Sequence, residues 1–272
     1  AIDDIDTPTT THPPPPQDDS LASVGDTHNG ALIKRIRFTG VTAHAGSFVS
    51  RGVNALKAAT LALQAIDAQR ERFPEADLVR ISPIITKGGD GTSSVPADVR
   101  IETMVRARTV EAMRQASELV DRCMRAGAIA IGATVEIETV SGYMPNNPDA
   151  RLVELQHANC AAVVGEEAMG SGKHQTGSTD VGDLSMLMPV VHPRAGGTAG
   201  TPHSRDYYVR DHILAAVNPA KSMAMLVVDL LFDGAAEARS VLSNSEPKID
   251  RETYLALRRS FDQRVIFDGA TG

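Results

Sequence analysis

The pattern of apolar and polar residues predicts a compact mixture of strands and helices in the first half of the chain. Residues 34–41 alternate with a period of two, as a half-buried strand does. The predicted elements are, in order, a strand at 34–41, a helix at 54–73, strands at 78–86 and 99–107, a helix at 110–131 and a strand at 134–140. This βαββαβ order is typical of a ferredoxin-like sandwich, in which two helices cover one face of a four-stranded sheet.

The rest of the chain follows a different pattern. Prolines and asparagines at 145–148 indicate a domain boundary. Further helices are predicted at 150–164, 219–232 and 251–263, separated by a loop-rich section at 165–210. The first 33 residues include four consecutive prolines and few apolar residues, which predicts disorder or, as the alternative, a proline-rich recognition ligand. The predicted division is 1–33 disordered, 34–144 ferredoxin-like and 145–272 a second domain.

Composition excludes several classes of partner. The formal net charge is −7 and aromatic residues make up 4% of the chain, without tryptophan, which argues against a nucleic-acid partner. Cys123 and Cys160 fall in helical patterns, and we expect reduced thiols in the cytoplasm rather than a disulfide. No apolar run of about 20 residues and no basic-then-apolar amino terminus is evident, so neither a membrane span nor a secretion signal is expected.

His44 is the first candidate for chemistry. It follows the first predicted strand and is flanked by Ala43, Ala45 and Gly46, which leave the imidazole accessible. Loops at strand ends often carry functional residues. An imidazole in this position could donate a hydrogen bond to a developing oxyanion. From the residues alone, a surface histidine that caps a turn is the alternative.

His203 is the second candidate and lies in a run of Thr, Pro, His and Ser at 201–204. Neutral imidazole is the commonest metal ligand in proteins, and a nearby carboxylate such as Asp206 could fix its tautomer. One histidine does not make a zinc site, since three or four protein ligands are needed. An ordinary loop residue is therefore the alternative reading.

Several other residues could bind a substrate. Asp180 could line a pocket or act as a helix N-cap. Gly197 and Thr198 belong to a glycine-rich run that would allow close backbone approach to a ligand. Arg106, on the third predicted strand, could bind a carboxylate through two hydrogen bonds, although a solvated sheet face explains it equally well. The adjacent glutamates at 166–167 are predicted to be solvated.

The motifs together resemble the dinuclear-zinc amidohydrolase and carboxypeptidase family, which includes aminoacylases, hippurate hydrolases and p-aminobenzoyl-glutamate hydrolases. The likeness is greatest to the last of these groups. It rests on FTGVTAHAG at 38–46, RGVNAL at 51–56, VPAD at 95–98, GSTDVGD at 177–183 and TPHS at 201–204. The resemblance covers about residues 30 to 235.

The resemblance implies a role for several candidates. The ferredoxin-like segment would be a lid that also forms a homodimer, and the remainder would be the carboxyl-terminal part of an α/β catalytic domain. His44 would stabilise the tetrahedral intermediate in the partner's site. His203 would be the last metal ligand of a centre that holds two zinc ions in an intact family member. Arg106 and Asn146 would contact the carboxylate of a small N-acyl amino acid or peptide-like substrate.

The sequence departs from the family pattern in one large respect. The family's His-x-Asp ligand pair, its Glu-Glu base and ligand, and a further metal ligand are not found here. Three hypotheses follow. The chain is an incomplete amidohydrolase that is inactive alone, a non-catalytic dimerisation module, or a subunit that complements a separate metal-binding chain.

Overall fold

The structure, a computed structural model, describes residues 20–245 and 247–271. These residues form two compact units. The sheet unit comprises Asn29–Pro145, Thr176–Ser178 and the chain from Leu255 onward. The helix unit comprises the chain up to His28, Asn146–Gln175 and Thr179–Tyr254.

The described residues form thirteen strands and six α-helices. The strands are β1 (Ala22–Ser23), β2 (Thr27–His28), β3 (Gly30–Thr39), β4 (Arg80–Ile81), β5 (Ile84–Lys87), β6 (Asp98–Ala107), β7 (Thr134–Tyr143), β8 (Met169–Gly170), β9 (His174–Gln175), β10 (Arg194–Ala195), β11 (Thr198–Ala199), β12 (Tyr208–Val209) and β13 (Gln263–Asp268). The helices are α1 (Ala55–Ala68), α2 (Val110–Ile131), α3 (Ala150–Val164), α4 (Val181–Leu184), α5 (Asn218–Asn244) and α6 (Arg251–Phe261).

The sheet unit contains one antiparallel sheet with the strand order β13-β7-β3-β6-β4, and β5 also pairs with β6. Without β13, this is the order of a ferredoxin-like sandwich. The predicted fold class is therefore confirmed. The single strand predicted at 78–86 is wrong in detail, because Pro83 lacks the N–H that a ladder needs and divides the segment into β4 and β5.

The hydrophobic core of this unit lies between the sheet and the helices α1 and α2. Alternate strand residues such as Phe38 and Ile101 face the helices and are fully buried. Burial of each such side chain contributes about 1.5–3 kcal/mol. The two helices approach closely where Gly127 lies against Ala58, since a Cβ on Gly127 would be 2.3 Å from the Ala58 carbonyl oxygen. The opposite face of the sheet carries charged residues.

The final strand, β13, was not predicted. The predicted helix at 251–263 ends at Phe261, and Gln263–Asp268 then pairs along its whole length with β7. Arg264 also binds Glu136 on β7, with an Nη2–Oε1 distance of 2.6 Å. Because of this pairing, the chain from Leu255 onward belongs to the sheet unit and not to the second domain predicted at 145–272.

The predicted disorder of residues 1–33 is wrong for residues 20–33, while the proline run lies outside the described residues. Ala22 and Val24 are buried in the helix unit, and Ala31 and Leu32 in the sheet unit. Hydrogen bonds to distant parts of the chain hold this segment. Leu21 N donates to the Ala168 carbonyl at 2.8 Å, for example.

The helix unit has its core between α3 and α5, where Leu152, Leu226 and Leu230 are buried. The backbone of α5 is non-helical at residues 232–235, close to the predicted end at 232. The helical stretch Ile213–Asn244 is long and apolar enough to span a membrane by length and composition alone, which corrects the expectation that no such run exists. A single helix of this kind is weak support for a membrane protein, because core helices of soluble proteins pass the same test.

Candidate functional site

His44 lies on an exposed loop of the sheet unit, just after β3. Its Nδ1 atom accepts hydrogen bonds from the backbone N–H groups of Gly46, at 3.1 Å, and Ser47, at 3.0 Å. Two donors at Nδ1 require a lone pair on that nitrogen, so the proton of the neutral ring is on Nε2. His44 therefore presents an N–H donor to solvent, which is the form needed to stabilise an oxyanion.

The backbone around His44 is tied to the segment before β6. Ala45 N donates to the Ser93 carbonyl at 2.9 Å, and Val95 N donates to the Ala43 carbonyl at 2.8 Å. At the start of the loop, a Cβ on Gly40 would lie 2.0 Å from the Val53 carbonyl oxygen, so only glycine fits there. The His44 side chain is exposed to solvent, but these backbone contacts hold its loop, and therefore its imidazole, in a fixed position.

His203 lies in the helix unit, in an exposed turn between β11 and β12. Its backbone has a φ of 67°, a left-handed conformation that is uncommon for residues other than glycine. Asp206, considered above as its partner, instead accepts a hydrogen bond from the Ser204 hydroxyl. This hydrogen bond lowers the pKa of the Asp206 carboxyl below its usual value.

Arg106 extends from the outer face of β6 and is half-buried. Its Nη2 donates to the Met104 sulfur at 3.0 Å, and its Nε is buried without a hydrogen-bond partner among the described residues. A buried N–H group without a hydrogen-bond partner destabilises the folded chain by about 1–3 kcal/mol. An anionic ligand that accepted a hydrogen bond from Arg106 Nε would remove this cost. The role in carboxylate binding stays a prediction.

Asn146 is 1% exposed and forms an antiparallel bridge with His28. Its Nδ2 lies 3.3 Å from both the Asp26 carbonyl oxygen and His28 Nδ1, and its Oδ1 has no hydrogen-bond partner among the described residues. The chain passes between the two units directly after His28 and directly before Asn146. Contact with a substrate carboxylate stays a prediction for this residue.

The three remaining candidates lie in the helix unit. Asp180 is exposed and precedes α4, but its side chain makes no capping hydrogen bond. Gly197 has a φ of 91°, and a Cβ there would lie 2.5 Å from the Asp211 carbonyl oxygen, so the turn itself requires glycine. Thr198 is buried and pairs with Val209 between β11 and β12. A substrate-binding role for these residues stays a prediction.

A buried polar network in the helix unit was missed by the sequence analysis. The Asp26 carboxylate is 2% exposed and accepts hydrogen bonds from Lys173 N at 2.9 Å, Gln175 Nε2 at 3.1 Å and Arg194 Nη1 at 3.3 Å. Close by in sequence, the buried His28 ring stacks on His192 with a centroid distance of 5.6 Å. No local signal points to these residues, because Asp26 and His28 lie in a segment of disorder-like composition.

The described residues do not fit a two-metal centre. No group of three or more His, Cys, Asp or Glu side chains that could hold a metal ion occurs among residues 20–245 and 247–271. Glu166 and Glu167 are exposed, as predicted, and Glu166 lies 3.9 Å from His157 in a solvated pair. His203 is thus the one residue of this part of the chain for which the resemblance implies a metal bond.

Comparison with known proteins identifies the sheet unit. Residues 27–131 match the model of the M20 peptidase dimerisation domain. Over this segment the chain is similar to M20 dimerisation domains. The resemblance to metal-dependent amidohydrolases and carboxypeptidases is thereby confirmed at the level of the M20 family. The match includes the His44 loop, α1, α2 and the strands between them, and excludes β7 and β13.

Relatives extend beyond this domain. The chain is 29% identical over 210 residues to the mouse Xaa-Arg dipeptidase, covering 74% of this chain and 48% of the relative. Among solved structures, the Klebsiella pneumoniae aminobenzoyl-glutamate utilization protein has a TM-score of 0.66 at 19% identity over 86% of this chain and 57% of its own. A dinuclear metal-binding M20 peptidase from Bacillus subtilis has a TM-score of 0.59 at 15% identity over 85% of this chain and 58% of its own. The chain spans about half the length of the curated relative.

Proposed function

We propose that this chain takes part in the metal-dependent hydrolysis of the amide bond of N-acyl or p-aminobenzoyl amino acids. The observation that carries the proposal is the His44 imidazole, held by two backbone N–H groups with its Nε2–H toward solvent in an M20 dimerisation domain. Relatives named for dipeptides and for aminobenzoyl-glutamate support the substrate class, since both substrates contain an amide next to an amino-acid carboxylate.

The role of His44 follows from the chemistry of amide hydrolysis. Addition of water to the amide carbonyl places a negative charge on its oxygen in the tetrahedral intermediate. The Nε2–H of His44 donates a hydrogen bond to this oxygen, and loss of one such donor lowers kcat by about 10²–10³-fold. Because Nδ1 of His44 already accepts hydrogen bonds from two backbone N–H groups, the ring proton is on Nε2. The imidazole can therefore donate to the oxyanion without a change of tautomer.

Metal ions, when bound, activate water in hydrolases of this kind. A zinc site needs three or four protein ligands, and the described residues supply His203 alone. We therefore assign the other ligands to polypeptide outside residues 20–245 and 247–271. The general base that accepts a proton from the attacking water is likewise assigned to polypeptide outside these ranges.

The proposal includes a cytoplasmic homodimer. The dimerisation domain supports the dimer. Cys123 and Cys160 are buried free thiols, and burial raises the pKa of each, which suits unreactive thiols in a reducing compartment.

A second candidate function is that of a subunit complementing a metal-binding chain. It is favoured by α5 and by the π-helix Ile213–Val217 directly before it. The buried face of α5 packs on α3 through Leu226 and Leu230. The opposite face also carries apolar residues, all exposed and spaced alternately by four and three positions: Ile213, Val217, Ala220, Ala224, Val227 and Leu231. A helix that is apolar on two faces is typical of an inner layer. A polypeptide that supplies metal ligands would cover this stripe.

The experiment uses the protein purified from its native source through a tag on the endogenous gene. Release of p-aminobenzoate from p-aminobenzoyl-glutamate is measured for the wild type, His44→Ala and the matched control His157→Ala. We expect His44→Ala to lower kcat by about 10²–10³-fold with little change in KM, and the control to leave both unchanged. An unchanged kcat for His44→Ala, or no hydrolysis of any N-acyl amino acid by the wild-type preparation, overturns the proposal.

A further inference from the structure

We propose that Arg51 selects substrates whose amino-acid side chain carries a carboxylate, and that Phe48 holds the guanidinium in place for this contact. The inference rests on the proposed function and deepens it, because hydrolysis of an N-acyl amino acid leaves the side chain of that amino acid undefined. Arg51 is then a specificity-determining residue, and Phe48 is a positioning residue that acts through Arg51.

Two successive backbone turns connect His44 to Arg51. The Phe48 N–H donates to the His44 carbonyl at 3.0 Å, and the Arg51 N–H donates to the Phe48 carbonyl at 3.0 Å. The first hydrogen bond closes a turn like that of an α-helix, on which residues four positions apart have Cβ atoms about 5–6 Å apart. Residues 44 and 48 are therefore neighbours. A substrate whose oxyanion accepts a hydrogen bond from His44 lies beside Phe48.

The Arg51 guanidinium lies over the Phe48 ring, with its Cζ atom 4.8 Å from the ring centroid. This distance is typical of a cation–π contact. Stacking occupies the flat face of a guanidinium, whereas its N–H groups point outward in its plane. The stack therefore leaves the donors of Arg51 accessible and restricts the directions in which they point. A carboxylate in this plane would accept two parallel hydrogen bonds.

Arg51 has no counter-ion in its surroundings. It is exposed and is the only lysine, arginine, aspartate or glutamate in residues 40–56. Within the part of the chain that the structure describes, its side chain forms neither an ion pair nor a hydrogen bond. The segment before β6, which is hydrogen-bonded to the His44 loop, contains Asp90, but Lys87 binds this carboxylate at 2.8 Å. An uncompensated cation beside the proposed oxyanion position attracts an anionic group of the substrate.

A second arginine–phenylalanine stack has a different environment. Arg114 of α2 lies 4.7 Å from the ring centroid of Phe261, the last residue of α6, and this ring is 4% exposed. Arg114 therefore covers a ring of the protein interior and connects two helices. The Phe48 ring is 50% exposed, although Arg51 lies over it at almost the same distance. Because a half-exposed ring adds little to a core, the main effect of the Phe48 stack is to orient Arg51.

The order of apolar and charged groups in this loop matches an acidic side chain. Phe48 and the adjoining Val49 expose apolar surface, and the Arg51 guanidinium follows. Aspartate and glutamate carry one or two methylene groups and then a carboxylate, so the methylene groups contact the apolar surface and the carboxylate pairs with Arg51. A basic side chain would instead bring like charges together, which disfavours its binding.

The test uses the tagged preparation from the native source and substrates that differ only in the side chain. N-benzoyl-glutamate and N-benzoyl-glutamine have the same shape and differ by one charge, and N-benzoyl-arginine reverses the charge. We expect kcat/KM for the glutamate substrate to exceed that for the glutamine substrate at least about 10-fold, mainly through KM. Arg51→Gln should remove this preference, and Arg51→Lys should retain part of it. Arg51→Glu should place the arginine substrate above the glutamate substrate.

Two further variants separate orientation from a general effect of the substitutions. Phe48→Leu keeps an apolar side chain but removes the aromatic face, and it should lower the preference for glutamate by about 2–5-fold. Arg114→Gln is the matched control, because it removes an arginine from a stack of nearly equal distance. It should leave the preference unchanged. An equal loss of preference in Arg114→Gln and Arg51→Gln overturns the inference.

Binding of a ligand that cannot be hydrolysed separates this inference from the proposed reaction. In N-benzyl-glutamate a methylene group replaces the amide carbonyl, and calorimetry should show that it binds the wild type at least about 10-fold more tightly than N-benzyl-glutamine does. Arg51→Gln should bind both equally. Hydrolysis without a charge preference, or a preference that survives Arg51→Gln, overturns the inference and leaves the proposed function intact. Charge-selective binding without any hydrolysis retains the inference and overturns the proposed function.

Discussion

The Nζ atom of Lys34 lies 2.6 Å from Oδ1 of Asp121, and the lysine side chain is completely buried. Lys34 is on β3, on the face covered by helices, and Asp121 is on α2. The Thr139 hydroxyl, at 2.8 Å, is the second acceptor for the ammonium group. Desolvation lowers the pKa of Lys34 from its usual value of 10.5, although Asp121 opposes this shift. The pair therefore connects the sheet to α2 within the sheet unit.

Removal of one member of this pair should destabilise the fold strongly. We expect Asp121→Ala to lower the free energy of unfolding by about 3–5 kcal/mol, because it leaves a buried ammonium group without its counter-ion. The double variant Lys34→Met/Asp121→Leu should recover most of that loss. Urea denaturation followed by circular dichroism measures both. The control Asp67→Ala removes an exposed pair with Arg70 and should cost less than about 0.5 kcal/mol. Equal effects of Asp121→Ala and Asp67→Ala would contradict the importance of the buried pair.

Acid should weaken the sheet unit through Asp98. Burial raises the pKa of this carboxyl, but hydrogen bonds from Arg37, Lys87 and Arg100 outweigh burial and hold the pKa well below its usual 3.8. The unfolded chain therefore binds a proton before the folded chain as the pH falls. Stability from Asp98 is complete above pH 3.8 and is lost as the pH falls below that value toward the lower pKa of the folded state.

The variant Asp98→Asn tests this dependence. We expect it to cost about 1.5–3 kcal/mol at neutral pH, the value of hydrogen bonds to a charged group, and to lose less stability than the wild type below pH 3.8. Urea midpoints at several pH values give both quantities. Asp67→Asn is the matched control, because its carboxylate is largely exposed and should change neither quantity. Parallel pH profiles for the wild type and Asp98→Asn would refute the assignment.

Sequence patterns predicted the ferredoxin-like unit because its elements are long and their periods are clear. The strand predicted at 99–107 coincides with β6 to within one residue, and the helix predicted at 110–131 has the same bounds in the structure. The strand β13 is only six residues long and is defined by pairing with β7, more than a hundred positions earlier. Such long-range pairing leaves no local signal. The same reason applies to Asp26, whose hydrogen-bond donors lie about 150 positions away.

The candidate site was predictable in part. The small residues around His44 indicated an accessible imidazole, and the structure confirms its exposure. The sequence could not indicate its tautomer, which depends on the positions of two backbone N–H groups. For Gly197, the sequence allowed close approach of a ligand, and the structure shows that the neighbouring backbone also requires a glycine there. Fine geometry of the backbone, rather than residue type, decides such cases.

Substitution of Gly40 should disturb the His44 loop. A Cβ at this position would be 2.0 Å from the Val53 carbonyl oxygen, so Gly40→Ala must break the bridge between Val41 and Val53. We expect a loss of about 2–4 kcal/mol in unfolding free energy and a fall in kcat in the same direction as for His44→Ala. Gly91→Ala is the control, since no atom lies within 4 Å of a Cβ there. Wild-type stability of Gly40→Ala would show that the loop adapts to the extra carbon.

The isolated chain should not retain two metal ions. The described residues contain no cluster of three or more potential ligands, and a lone exposed imidazole cannot hold zinc with useful affinity. We expect less than one equivalent of zinc by mass spectrometry after gel filtration of a zinc-treated sample, and the same content for His203→Ala. When the chain is purified with a partner that supplies the other ligands, His203→Ala should instead lower the zinc content relative to the wild type. The assignment of ligands to another polypeptide would be contradicted if the chain alone held two equivalents of zinc and His203→Ala lost them. That result would place the complete set of metal ligands within this chain.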